Sequence, residues 1–117
     1  MDWKYLFTSL EGRIGRQSYW MGVIGIYVIT FIAILLDNML GLAGEYGYGI
    51  ISVLATLALL YPTIALYAKR WHDRNKSGWW TLIAFVPIIG GLWLLIELGF
   101  LRGTDGDNRF GPDPLRF

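Results

Sequence analysis

The chain contains no cysteine and only one histidine in 117 residues. The first absence excludes disulfides, thiol nucleophiles and thiolate-ligated zinc, and it leaves the redox compartment undetermined. The second leaves any metal site short of nitrogen ligands, since such sites need three or four. Charge is also scarce. Charged residues make up 16% of the sequence, against ~25% in an average soluble domain. The formal net charge is only +1, so the total implies no acidic partner and the distribution carries the information. The sequence shows no internal repeat, no Ser/Gly-rich linker and no second composition class, so residues 1–117 read as one domain.

Hydrophobic residues are abundant instead, at 55% against ~45–50% in soluble domains. They fall in three runs: "SYWMGVIGIYVITFIAILL" (18–36), "YGIISVLATLALLYPTIALYA" (48–68) and "WWTLIAFVPIIGGLWLLIELGFL" (79–101). The first two are uncharged and the third holds only Glu97. Each approaches the ~20 apolar residues needed to cross a ~30 Å hydrocarbon core. The first run exceeds a signal peptide's ~7–15-residue apolar region and is followed by no A-x-A cleavage pattern. The expected fold is therefore an all-α integral membrane protein with three transmembrane helices. Ahead of them, Trp3, Leu6, Phe7 and Leu10 recur at helical spacing. They predict a short amphipathic helix lying in the interface within residues 1–17, broken by Gly12 and Gly15.

Lysine and arginine set the orientation. The N-terminal segment holds Lys4, Arg13 and Arg16, and the 69–78 loop holds Lys69, Arg70, Arg74 and Lys76; the loop between the first two runs holds none. The positive-inside rule places the N-terminus and the 69–78 loop of this multi-pass protein in the cytoplasm. Trp3, Trp20, Trp71, Trp79 and Trp80 then form an inner aromatic belt, with Trp93 near the outer side. The polar Gly/Pro tail, 102–117, fits less well, because it carries Arg102, Arg109 and Arg116 yet three spans put it outside. Pro87 and Gly90-Gly91 offer the alternative of a re-entrant third segment that returns the tail inside. Its arms would fall short of the membrane's thickness and need shelter from neighbouring helices.

Candidate sites centre on "KRWHDRNKSGWW", residues 69–80. His72 beside Asp73 has the chemistry of a general base, but consecutive helix positions diverge by about a hundred degrees. The stronger reading is a structural clasp: Asp73 pairs with Arg70, or with Arg13 and Arg16. Ser77 reads as an N-cap rather than a nucleophile, because no G-x-S-x-G surrounds it. Arg13, Arg16, Trp20, Arg70, His72, Asp73, Arg74, Lys76, Trp79 and Trp80 together form a basic-aromatic rim suited to anionic lipid headgroups or a partner. Glu97 is an intramembrane carboxylate, a functional candidate by default. "DGDN" in the tail fails as a calcium loop, since its fifth and twelfth positions are Arg109 and Arg116. Small residues, Gly22 and Gly25 in the first run and Ser52, Ala55, Thr56 and Ala58 in the second, allow close helix packing within the chain or in a homo-oligomer.

Three ordered motifs carry a resemblance. "LEGRIGRQSYW" is similar to F-x-G-R-x-x-R-x-x-Y-W, with Leu10 replacing the phenylalanine. "KRWHDRNKSGWW" is similar to R-R-L-H-D-x-x-x-S-G-W-W, departing at Lys69 and Trp71. "GTDGDNRFGPDP" matches G-x-x-G-x-N-R-F-G-P-D-P throughout, including Asn108, Arg109, Phe110 and Gly111. Over nearly the whole chain the sequence thus resembles the bacterial inner-membrane family named domain of unknown function 805. The resemblance implies an integral membrane protein and assigns no catalytic residue, metal or cofactor. The expected role is structural, regulatory or accessory, held through lipid, a membrane-protein partner or self-association, and not through nucleic acid. An oligomeric transporter or channel using Glu97, and a membrane-surface enzyme using His72 and Asp73, are the alternatives.

Overall fold

The computed structural model describes residues 3–114. Among these the regular structure is entirely helical, apart from a single bridge between Asn108 and Gly111. A short helix α1 (Trp3–Thr8) precedes two long helices, α2 (Arg16–Met39) and α3 (Ile50–Asp73). Each long helix has 24 residues, or about 36 Å at 1.5 Å per residue, and is apolar enough to cross a membrane. Both extend beyond the expected runs, so Arg16 and Asp37 lie in α2, and Arg70, His72 and Asp73 form the last turn of α3. Pro62 lies inside α3 without ending it. The two helices pack along their length. A Cβ on Gly22 would sit 2.7 Å from Leu66 Cδ2, so this glycine admits α3 to the surface of α2. The small residue expected to aid packing therefore acts within the chain.

The third apolar run forms no single long helix, so two helices, and not the expected three, are long and apolar enough to cross a membrane. Gly78–Phe85 is a 3₁₀ helix capped by Ser77, whose hydroxyl accepts from the Trp79 amide (3.3 Å). The chain turns at Val86–Ile88, and α4 (Ile89–Leu94) runs back, continuing as one π-helical stretch, Leu95–Phe100. Two local features make the turn. Pro87 has no amide to donate to a continuing helix, and Ile88 adopts φ 66°, outside any right-handed helix. The arms close tightly because Gly90 faces the Ile83 carbonyl, where an added Cβ would fall 1.9 Å from the oxygen. The two arms make a helical hairpin, and both of its ends meet the C-terminal end of α3. Trp93 lies on the returning arm.

This arrangement gives the molecule a polar end and a far end. At the polar end Leu6, Ile14, Tyr19, Leu66, Trp71 and Leu98 form the buried core, drawn from α1, the α1–α2 connection, α2, α3 and the returning arm. Trp71, expected in an aromatic belt, is fully buried here. α1 ends at Thr8, so Leu10 falls outside it and stays exposed; only Leu6 of the expected apolar face is fully buried. The chain then reverses at Gly12, where φ is +91° and the Tyr5 hydroxyl occupies the space a Cβ would need. The far end is the 40–49 connection between α2 and α3.

A candidate functional site at the polar end

The last turn of α3 presents Lys69, Arg70, His72 and Asp73 to three other parts of the chain. A helix C-terminus carries partial negative charge, which opposes a carboxylate at Asp73. Two arginines offset it. Arg13 donates from Nε (3.1 Å) and Nη2 (2.9 Å) to Asp73 Oδ1, and Arg70 donates from Nη1 to Oδ2 (2.6 Å). All three side chains are within 4% of full burial. The expected clasp therefore forms with Arg13 and Arg70. Arg16 goes elsewhere, donating to the Phe100 carbonyl (2.9 Å).

The positive charge left over is absorbed by carbonyls. Arg13 also donates to Thr104 O (2.6 Å), Gly106 O (2.7 Å) and Gly111 O (3.2 Å). Arg70 also donates to Leu98 O (2.6 Å) and Leu101 O. The hairpin supplies the latter acceptors because its returning arm ends there. The last carbonyls of a helix lack intrahelical partners, and here Leu98 and Leu101 bond Arg70, Gly99 bonds Trp20 Nε1 (2.8 Å) and Phe100 bonds Arg16. Side chains of α2 and α3 thus cap the returning arm.

Lys69 performs the same task for α1. Its buried ammonium donates to the carbonyls of Tyr5 (2.6 Å), Leu6 (2.6 Å) and Ser9 (2.7 Å). Next to it, burial pushes the Tyr5 hydroxyl pKa above its ordinary value, and that hydroxyl donates to Arg13 O (3.3 Å).

The tail motif locks onto the same turn. The Thr104 amide donates to Asp73 O (2.7 Å), and Asn108 Nδ2 donates to His72 O (2.8 Å). The Phe110 ring stacks on His72 at 4.1 Å between centroids and 5° between planes. His72 Nδ1 donates to the Gly12 carbonyl (2.9 Å), which places the proton of the neutral ring on Nδ1. Gly103 must be glycine, because a Cβ there would lie 2.0 Å from Asp73 Oδ2. Arg109 covers the outer face of Phe110, 4.7 Å from its centroid. In this way Asn108, Arg109 and Phe110, to which the sequence alone assigns no role, grip the end of α3, and Gly111 closes the turn on Asn108 and accepts from Arg13.

A second cluster lies beside the first. Glu97 is 5% exposed and accepts from Arg74 Nε on one oxygen (2.5 Å) and Lys76 Nζ on the other (2.6 Å). The Lys76 ammonium also sits over the Trp71 ring (5.7 Å) and the Trp80 ring (5.1 Å). Trp79 is the most open of this group, at 78% exposure. Of the expected rim, Arg13, Arg70, His72 and Asp73 are thus engaged internally. Arg16, Arg74, Lys76, Trp20, Trp79 and Trp80 keep partial or full exposure.

At the far end sits a group that sequence reading missed. Asp37 is fully buried, and its carboxylate accepts from the amides of Gly49 (2.7 Å), Ile51 (3.0 Å) and Ser52 (2.9 Å) and from the Ser52 hydroxyl (2.6 Å). It caps the start of α3 from the end of α2. The available signal was a helix opening "YGIIS" with no N-cap side chain of its own, preceded in the chain by one lone aspartate.

Comparison with known proteins agrees with these motifs. The family described as protein of unknown function (DUF805) matches residues 7–112. The Escherichia coli inner membrane protein YhaH is 39% identical over 97% of this chain and 97% of its own length. The inner membrane protein YhaI of the same organism is 38% identical over 92% of this chain and 87% of its own length. The uncharacterized protein YiiR, also from E. coli, is 33% identical over 94% and 88%. No solved structure matches the chain. Matched across the N-terminal arginines, the α3 clasp and the tail that grips it, this chain belongs to the DUF805 family.

Proposed function

We propose that the protein is a two-span inner-membrane protein with a re-entrant hairpin, acting as a structural or accessory component through its cytoplasmic end. The observation that carries this reading is the convergence of every described lysine and arginine on one end, while the far connection, 40–49, holds only Glu45. With the hairpin turned back, Arg102 and Arg109 join Lys4, Arg16, Arg74 and Lys76, and the positive-inside rule then accounts for the tail as well. The hairpin arms support re-entrance by their length. Eight residues of 3₁₀ helix rise about 16 Å, roughly half of a ~30 Å hydrocarbon core. Relatives named as inner membrane proteins support the location.

The role follows from which groups are spent and which face outward. The His72 ring is held by Gly12 and covered by Phe110, and the Asp73 carboxylate is filled by two guanidinium groups. That arrangement favours a clasp over a general base, which must reach a substrate proton. Around the clasp, exposed Lys4, Arg16, Arg102 and Arg109 with Trp3, Trp79 and Trp80 make a rim for anionic headgroups or an acidic partner. Replacing Lys4, Arg16 and Arg109 together with Gln should lower the anionic lipid retained on purification, and high salt should reproduce the loss, since exposed charges are screened. Unchanged retention in both arms removes the rim.

A further inference from the structure

Beside Glu97 a groove of about 410 Å³ runs along the returning arm, lined by Ile89, Leu92, Trp93, Ile96, Glu97 and Leu101. Its size lies within the ~300–1,000 Å³ of small-molecule sites. Ile89, Leu92, Trp93 and Ile96 repeat at i, i+3, i+4 and i+7, so they form one continuous apolar face from the hairpin turn to the polar end. Glu97 closes that face, and there Arg74 and Lys76 stand on its two oxygens with 27% and 30% of their side chains exposed. Two cations against one carboxylate leave a positive charge uncompensated. Both cations are held in place in advance: Arg74 by the Arg102 carbonyl, and Lys76 by the faces of Trp71 and Trp80.

We infer that this groove binds one anionic phospholipid, with its phosphate on Arg74 and Lys76 and an acyl chain along Ile96, Leu92 and Ile89. The inference rests on the membrane and rim reading above and narrows it from a diffuse belt to one site. The direction of the groove argues for this occupant. Its Glu97 end lies at the polar end, where Arg74 and Lys76 stand on that carboxylate beside the lining, and its apolar floor leads toward the hairpin turn, the order in which a phospholipid presents headgroup and chain. Charge complementarity selects an anionic headgroup over a zwitterionic one.

The test uses the full chain in nanodiscs, comparing phosphatidylglycerol with phosphatidylcholine by native mass spectrometry. The parent should retain one phosphatidylglycerol per chain. Arg74→Gln and Lys76→Gln should each weaken that retention about fivefold, the worth of one basic residue at an anionic surface. Leu92→Trp, which narrows the groove and leaves the charges in place, should abolish it. Lys4→Gln/Arg16→Gln/Arg109→Gln should lose the more loosely held lipid of the rim and keep this one, because those residues lie outside the groove. Inorganic phosphate should not compete, since it lacks the chain. Retention lost in the rim variant but kept in the groove variants overturns the inference and leaves the rim standing. Loss in neither set overturns both. A Leu92→Trp variant that alters oligomeric state without altering lipid assigns the groove to a second copy and overturns the inference.

Discussion

Each end of the molecule is fastened by one buried carboxylate, and the two are satisfied by opposite means. Asp37, at the far end, accepts from three backbone amides and one hydroxyl at the start of α3. A helix N-terminus favours negative charge, so no cation is needed there. Asp73, at the polar end, sits on a helix C-terminus that disfavours it, and it holds two arginines instead. The reach differs as well. Asp37 bonds residues 12 to 15 positions away, closing one connection. Asp73 bonds Arg13, 60 positions away, and Arg13 in turn bonds Gly111, 98 positions away. A carboxylate aligned with a helix dipole can do a local job alone. One that opposes the dipole recruits cations, and their spare donors become the means of gathering distant segments.

The largest expected effect follows from this difference. Asp73→Asn strands two buried guanidinium groups, and removing one partner of a buried pair costs about 3–5 kcal/mol. In detergent the melting temperature should fall sharply, and proteolysis should open the N-terminal segment and the tail together. If either stays protected, the clasp does not join them. Lys69→Met comes next. It leaves the carbonyls of Tyr5, Leu6 and Ser9 without their donor, at about 1–3 kcal/mol, and hydrogen exchange should rise over α1 while the tail stays protected. Equal loosening of α1 and tail would show that the two segments share one attachment rather than having one each. The smallest effect is expected for Asp37→Asn, which keeps a cap of reduced capacity. Faster exchange confined to residues 49–52 is the expected result, and loss of protection at the polar end would contradict the local role.

Much of this is legible in sequence, and the limits have physical causes. The two long helices follow from uncharged runs that only lipid can cover. The Arg70–Asp73 pairing follows from helical spacing, and the choice of Arg13 over Arg16 does not, because it depends on where Gly12 turns the chain. The hairpin ranks second on sequence alone, since its arms are too short to cross; what makes them tenable is contact. Gly90 packs on Ile83, and the last carbonyls of the returning arm are capped by Arg16, Trp20 and Arg70. Such long-range caps leave no local pattern. The same holds for Lys69, which reads as one more surface cation and is buried, and for Phe110, whose partner His72 lies 38 positions earlier.

Both the comparison of the two ends and the proposed function require the hairpin to bring the tail back to the side of the N-terminal segment. The lack of native cysteine makes this directly measurable. Single cysteines at Glu45, Asn75 and Asp105, all exposed, can be probed with a membrane-impermeant maleimide in intact cells and in inverted vesicles. The account predicts that Asn75→Cys and Asp105→Cys react only in inverted vesicles and Glu45→Cys only in intact cells. Labelling of Asp105→Cys on the side of Glu45→Cys would make the third segment a full crossing and contradict the clasp at its root.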